Sequence, residues 1–275
     1  MDKRIYILFL GVLIMACKEN VQNKKESYPS EKGLLANAEI IDLTHDFSDE
    51  TIYWVTAKEF ELDTVAHGET EQGFFYAANN FSTAEHGGTH IDAPIHFAKE
   101  GQTVDEIPLE HLIGSAIKID VSHKALNNPE YLITTDDFLN WERTEKTQIP
   151  EGSIVLLQTG YSKYYPNKLN YLGTEMRGPE AVKDLHFPGL APEAATWLVE
   201  NRKIHAIGID TPSIDYGQST DFKSHVILLG KNIPAFENLT HLDQLPSKNF
   251  TIVALPMKIK GGSGGPLRII ALVNQ

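Results

Sequence analysis

Apolar positions along this chain gather into short runs, and long helical stripes are few. Ile117–Val121, Ile154–Gln158, Ile204–Ile209, Ile252–Leu255 and Leu267–Val273 are β-branched or aliphatic, and Phe74–Tyr76 is a short aromatic run. Runs of that length and composition predict strands. Three segments carry helix signals instead. Thr135–Trp141 opens on a capping-type Thr followed by Asp136 and Asp137, acids suited to the positive end of a helix. Pro192–Asn201 sets a Pro in a first turn, and Ser224–Lys231 carries His225 in its own first turn. Trp141 and Trp197 lie within the first two patterns and read as core. Strands with interleaved helices predict an α/β or α+β domain on a large sheet system.

The N-terminus differs in kind. Lys3 and Arg4 precede the apolar run Ile5–Ala16, which ends at Cys17. A basic start, a short apolar stretch and a small residue before the cut predict a secretory signal over 1–16. Ile14-Met15-Ala16-Cys17 resembles the lipobox of bacterial lipoproteins, which implies that Cys17 is lipidated. The alternative is an ordinary anchor helix with an incidental Cys. Residues 17–37 are polar and nearly free of large aliphatics, as a flexible tether requires. Residues 38–275 show neither a repeat nor a second composition shift, so they read as one domain. The expected location is the bacterial cell envelope, with export by the secretory pathway and membrane contact through the lipid anchor only.

Composition narrows the function. Lys and Arg number 24 against 37 Asp and Glu, a net charge of −13. That sign repels phosphate backbones and argues against a nucleic-acid partner. A single cysteine excludes an internal disulfide framework and a zinc site built from a cysteine cluster. The eleven histidines are the unusual count, and three of them fall between positions 86 and 96.

Those three lie in His86-Gly87-Gly88-Thr89-His90-Ile91-Asp92-Ala93-Pro94-Ile95-His96-Phe97. In extended backbone His90 and Asp92 project to one face. Imidazole and carboxylate together suit a borderline cation such as Zn²⁺. His86 and His90 have helical spacing, but Gly87 and Gly88 argue against a helix. A straight strand would hold those Cα atoms about 13 Å apart, so the glycines are expected to supply a bend that returns His86 to His90. Pro94 is expected to keep the chain extended and to carry His96 roughly 13 Å beyond Asp92. The alternative to a metal site is a polar loop with scattered histidines.

This stretch resembles the signature of the cyclase-like metal-dependent hydrolases, a family that includes bacterial kynurenine formamidase and isatin hydrolase. Ile41-Asp42-Leu43-Thr44-His45, Gly208–Asp215, and Leu255–Ile259 with Gly264-Gly265-Pro266 match further family segments in order. The resemblance implies a swivelling β/β/α domain, usually assembled as homodimers or larger homo-oligomers. It implies that His86, His90 and Asp92 bind a first metal ion and that Asp92 reaches a second. His225 and Glu237 are the implied remaining ligands, Glu237 being able to bridge. One or two Zn²⁺ or Mn²⁺ ions per chain are implied, with His96 as proton donor and acceptor and Trp54 in contact with substrate. Val55 stands where the family usually has a Pro, and the central region is longer than in a compact kynurenine formamidase. The longer central region points toward the isatin-hydrolase branch, and the two departures together leave the exact substrate open.

The implied activity is hydrolysis of an amide C–N bond in a small substrate, an aryl formamide or a cyclic amide. The chemistry agrees: a metal with open positions acidifies its water and polarises a carbonyl, and a nearby His such as His96 moves the protons. The rival reading is a non-catalytic lipoprotein that binds a metal or small ligand on the same fold. Gly261-Gly262-Ser263-Gly264-Gly265 satisfies the G-x-S-x-G pattern of serine hydrolases, but no His follows it and no helix signal does either. It reads as a turn, with a backbone wall of the substrate pocket as its functional alternative. Asp210, Thr211, Ser213 and Asp215 follow a buried strand. Asp210 and Ser213 are the candidates for orienting ligands, and a local Asp-Thr-Pro-Ser turn explains the segment as well.

Overall fold

The structure, a computed structural model, describes residues 38–274. The expected signal 1–16, Cys17 and the tether 17–37 lie outside the described residues. Among the described residues no helix is long and apolar enough to cross a membrane.

The strands in chain order are β1 (Ala38–Asp42), β2 (Glu61–Glu69), β3 (Phe75–Ser82), β4 (His90–Asp92), β5 (Ile113–Asp120), β6 (Leu132–Ile133), β7 (Ile154–Gln158), β8 (Gly189–Leu190), β9 (Ala206–Ile209), β10 (Ala235–Glu237), β11 (Phe250–Pro256) and β12 (Gly264–Asn274). The helices are α1 (Leu109–Leu112), α2 (Ser122–Ala125), α3 (Thr135–Glu145), α4 (Lys168–Leu172), α5 (Pro192–Asn201) and α6 (Lys223–Leu229). Neighbours among β5, β7, β9 and β10 run parallel. The remaining members, β11, β12 and β4, are antiparallel to their partners. Because β4 pairs with both β10 and β12, seven strands close into a barrel, and β1 adds to the far half of β12.

Strand periodicity sorts the core into two layers. Ile154 and Leu156 of β7 join Ile91, Phe236, Ile252 and Ile269 inside the barrel. Val155 and Leu157 point the other way, to Ile207 and Ile209 and to Phe138, Trp141 and Leu198 of the outer helices. Covered on both faces, β7 is buried along its whole length, which is why it reads as an unbroken apolar run. Trp141 is buried and Trp197 half-buried, its ring 5.9 Å from Phe138. A third cluster, including Ile52, Tyr171 and Phe187, lies under the loops.

The expected strands at 117–121, 154–158, 204–209, 252–255 and 267–273 appear as β5, β7, β9, β11 and β12, and the three expected helices as α3, α5 and α6. Helix α3 continues to Glu145, and Asp137 caps its start by accepting from the Thr134 N–H at 2.8 Å. The aromatic run at 74–76 opens a longer strand, β3, which pairs with β2 in a separate hairpin. Strand β2 carried no sequence signal.

Candidate metal centre

The register of β4 sets the site. Ile91 points into the barrel, so His90 and Asp92 point outward. On β10, Phe236 points inward and Glu237 outward, and Glu237 lies directly across from His90. His225 comes from the first turn of α6, which covers this face. Side chains from three elements therefore meet between barrel wall and helix.

Their atoms converge closely. Asp92 Oδ1 is 2.6 Å from His86 Nδ1 and 3.2 Å from His90 Nε2. Asp92 Oδ2 is 3.0 Å from His225 Nε2. Glu237 mirrors this arrangement, with Oε1 3.1 Å from His225 Nε2 and Oε2 3.5 Å from His90 Nε2. Each carboxylate thus faces two sides, the geometry a carboxylate needs to bridge two ions. The glycine bend is present: Gly88 has φ +56°, where a Cβ would crowd Phe47 and Thr51, and the His86 and His90 rings lie 5.5 Å apart.

The ring orientations are held from behind. His90 Nδ1 donates to the Gly88 carbonyl at 2.9 Å, which leaves Nε2 for the cluster. His225 Nδ1 is 2.6 Å from Asp215 Oδ2, and Asp215 also accepts from the backbone N–H groups of Ser224 and His225. One carboxylate therefore caps α6 and aims the His225 ring, an arrangement typical of metal-binding histidines. Ser213 Oγ in turn accepts from the Asp215 N–H at 3.2 Å. Asp210 faces elsewhere. Its carboxylate accepts from Thr159 N, Thr159 Oγ1 and Gly160 N, tying β7 to β9, and burial pushes its pKa up to about 6. Asp215, and not Asp210, is the acid that touches a member of the cluster. Of the two expected orienting residues, Ser213 lies against Asp215 and Asp210 instead ties Thr159 and Gly160; both acids follow β9, and local sequence does not show which of them α6 packs against.

Charge accounting asks for a cation. Burial opposes ionisation of Asp92, yet the neighbouring His86 and hydrogen bonds from His225, His86 and His90 hold its pKa well below the usual range. Burial and the neighbouring Asp92 raise Glu237. Burial disfavours the charged forms of His90 and His225, but hydrogen bonds that the rings donate to the surrounding carboxylates outweigh it and raise both. Two buried carboxylates with two buried imidazoles and the half-buried His86, a set that draws in positive charge, are the donor chemistry of a transition-metal site. His90, Asp92 and Glu237 offer one group of donor atoms within 4.8 Å of one another, and His86, Asp92 and His96 offer another.

His96 departs from its expected path. Pro94–His96 is a 3₁₀ turn, so the chain curls where extended backbone was expected, and the His96 ring stacks on His86 at 3.8 Å. Proline's fixed φ suits a first helical position as well as a strand, and local sequence does not choose between them. Desolvation pushes the His96 pKa down to about 4; Asp92 opposes the shift, and His86, His225 and His90 reinforce it. A cavity of about 290 Å³ opens beside the cluster, lined by Trp54, Phe97 and Phe222 as well as His86, His90, Asp92, His96, His225 and Glu237. Trp54 stands edge-on to Phe187 and Phe222, at 6.5 and 6.1 Å. Sequence reading passed over Phe97 and Phe222, single aromatics without a periodic signal.

Fold and site together define a metal-dependent hydrolase. Comparison with known proteins agrees: the family described as "Putative cyclase" matches residues 41–216, and the chain belongs to that family. It is 31% identical to the isatin hydrolase of Roseibium aggregatum over 248 residues, 87% of this chain and 88% of that protein. It is 29% identical to the kynurenine formamidase of Salinibacter ruber, across 84% of this chain and 96% of that one. Among solved structures, isatin hydrolase A from Labrenzia aggregata bound to benzyl benzoate superposes with a TM-score of 0.79 at 32% identity, covering 89% of this chain and 97% of that chain. The protein is accordingly an enzyme of the amidohydrolase type.

Proposed function

We propose that the protein hydrolyses an amide C–N bond in a small aromatic substrate, an aryl formamide or a cyclic amide. The observation that carries this reading is the cavity of about 290 Å³ lined by both aromatic side chains and the His/Asp/Glu cluster. That volume suits one or two fused rings, and Trp54, Phe97 and Phe222 offer flat apolar surfaces to hold them. Similarity to an isatin hydrolase and to kynurenine formamidases supports the same bond type.

His86, His90 and Asp92 would hold one Zn²⁺ or Mn²⁺ ion, and Asp92, His225 and Glu237 a second. A bound ion supplies Lewis acidity for the carbonyl and lowers the pKa of water. His96, neutral at pH 7 by its depressed pKa, takes a proton from the attacking water and returns it to the leaving nitrogen. Asp215 keeps His225 Nε2 aimed at Asp92 and Glu237, and Ser213 steadies Asp215. Trp54 and Phe222 position the ring and exclude water around the reacting carbonyl.

Elemental analysis of the purified domain, joined to an activity screen over formamides, isatin-like lactams and lactones, tests this reading. The expected result is a bound transition metal with chelator-sensitive cleavage of an amide. Intact activity without a transition metal, or cleavage of lactones alone, would overturn it. Export and lipidation at Cys17 remain part of the proposal. Labelling with a fatty-acid analogue should mark the wild type and spare Cys17→Ser, and equal label on both would remove Cys17 as the anchor. The proposed homo-oligomer is supported by the β2–β3 hairpin, whose exposed Leu62, Val65, Phe75, Tyr76 and Phe81 suit a second copy of the chain.

A further inference from the structure

Ser263 stands outside the proposed ligand set and still touches it. Its Oγ is 2.9 Å from His86 Nε2 and 2.6 Å from Glu85 Oε2, and its backbone N–H donates to the same Glu85 oxygen at 3.0 Å. A hydroxyl has one hydrogen to give. Glu85 Oε2 already accepts from the Ser263 backbone N–H and accepts the hydroxyl hydrogen as well, so the Ser263 oxygen is left with lone pairs facing His86. His86 Nε2–H then donates to Ser263, and Nδ1 faces Asp92 Oδ1 at 2.6 Å. Glu85, Ser263 and His86 form a directed chain that ends at the cluster.

The backbone is shaped for this contact. A Cβ on Gly264 would lie 2.6 Å from His86 Cε1 and 2.4 Å from the Ile91 carbonyl oxygen. A Cβ on Gly262 would lie 2.8 Å from Glu85 Oε1. Glycine on both sides is what lets the serine approach. The segment is also pinned to the ligand strand, because Gly264 pairs with Asp92 and the Ala93 N–H donates to the Ser263 carbonyl at 2.9 Å.

We propose that Ser263 and Glu85 are positioning residues for His86: the Glu85–Ser263 pair accepts the Nε2–H, turns the ring and directs Nδ1 to the cation. This rests on the metal-centre reading above. Outer partners of this kind typically contribute 10–100-fold to metal affinity. The same atoms also align as Ser263, His86 and Asp92, the order of a serine-hydrolase triad. Two observations favour positioning: Glu85 claims the hydroxyl hydrogen that a nucleophile would pass to its histidine, and Ser263 does not line the cavity.

Zinc affinity, measured by chelator competition on the full chain and checked for folding by circular dichroism, tests the proposal. Ser263→Ala and Glu85→Ala should each weaken zinc binding about 10–100-fold, with activity at limiting zinc falling in step and recovering as zinc is added. The double variant should bind about as weakly as the worse single one, because both changes break one chain. Wild-type affinity in Ser263→Ala, or additive losses in the double variant, would overturn the proposal. Retained affinity with a loss of turnover that zinc does not restore would make Ser263 the nucleophile. A wild-type chain that takes up no zinc would instead bring down the metal-centre reading itself, a different and separable failure.

Discussion

The ligand cluster and the β2–β3 hairpin invert ordinary burial in opposite directions. At the cluster, His90, Asp92, His225 and Glu237 are between 1% and 3% exposed, although each can carry a charge. On the hairpin, Leu62, Val65, Phe75, Tyr76 and Phe81 are between 52% and 61% exposed, although each is apolar. Uncompensated buried charges cost several kcal/mol apiece, and exposed apolar surface forgoes roughly 25 cal/mol per Å². A chain sustains either inversion where something beyond itself answers it. For the cluster the proposed answer is a cation, and for the hairpin a second copy. Each inversion is what its proposed answer would relieve.

The comparison breaks most visibly at His90, whose Nε2 lies within 3.5 Å of both carboxylates of the cluster. His90→Ala should lose metal and activity together, and a chelator should do the same to the wild type, with added metal restoring only the latter. Metal content per chain measured beside kcat checks this, and a fully loaded, inactive His90→Ala would refute the ligand role. His96→Ala sharpens the division within the cluster. Its kcat should fall by about 10²–10⁴-fold with metal content nearly unchanged, as for a lost general acid and base. An emptied site in that variant would make His96 a ligand, a possibility its position beside His86 and Asp92 leaves testable.

The hairpin half of the comparison predicts a smaller effect with a different readout. Leu62→Asp with Phe81→Asp places charges on facing residues of one cross-strand pair. The pair should weaken self-association by roughly 100-fold, about 3 kcal/mol, through lost apolar contact and added repulsion. Light scattering should then report monomer where the wild type assembles, with Tm little changed because neither side chain enters the core. An unchanged mass would remove the hairpin as the interface.

His45 provides the control, a desolvated imidazole that no cation answers. Burial, reinforced by the neighbouring His241, holds its pKa near 4, and its ring stacks on Tyr165 at 3.7 Å. The ordinary value for a solvated histidine, as in an unfolded chain, is 6.5. Between those values the unfolded state binds more protons, so the neutral ring's contribution is lost as pH falls from about 6.5 to about 4. In His45→Gln, Tm should therefore decline less across that window than in the wild type. Parallel Tm curves would show that His45 adds nothing to acid sensitivity.

Much of the fold was legible because neighbouring residues carry it. The apolar run at Ile154–Leu157 announced β7, and Pro192 announced α5. The hairpin was half missed for the reason that makes it interesting. β2 has no buried face, so its residues show no apolar alternation to read. The curl at His96 was missed because proline serves extended and helical backbone alike.

The sequence by itself determined the ligand types, the shared face of His90 and Asp92, and the glycine bend that returns His86. Resemblance to a family added His225, Glu237, His96 and Trp54. Only the tertiary structure decided which groups meet: His225 reaches Asp92 across 133 positions, and Ser263 reaches His86 across 177. It also decided that Asp215, and not Asp210, aims the His225 ring. Periodicity and turn chemistry act over a few residues, so sequence shows them. Barrel closure, which sets β4 between β10 and β12, is a global event whose contacts no local pattern encodes.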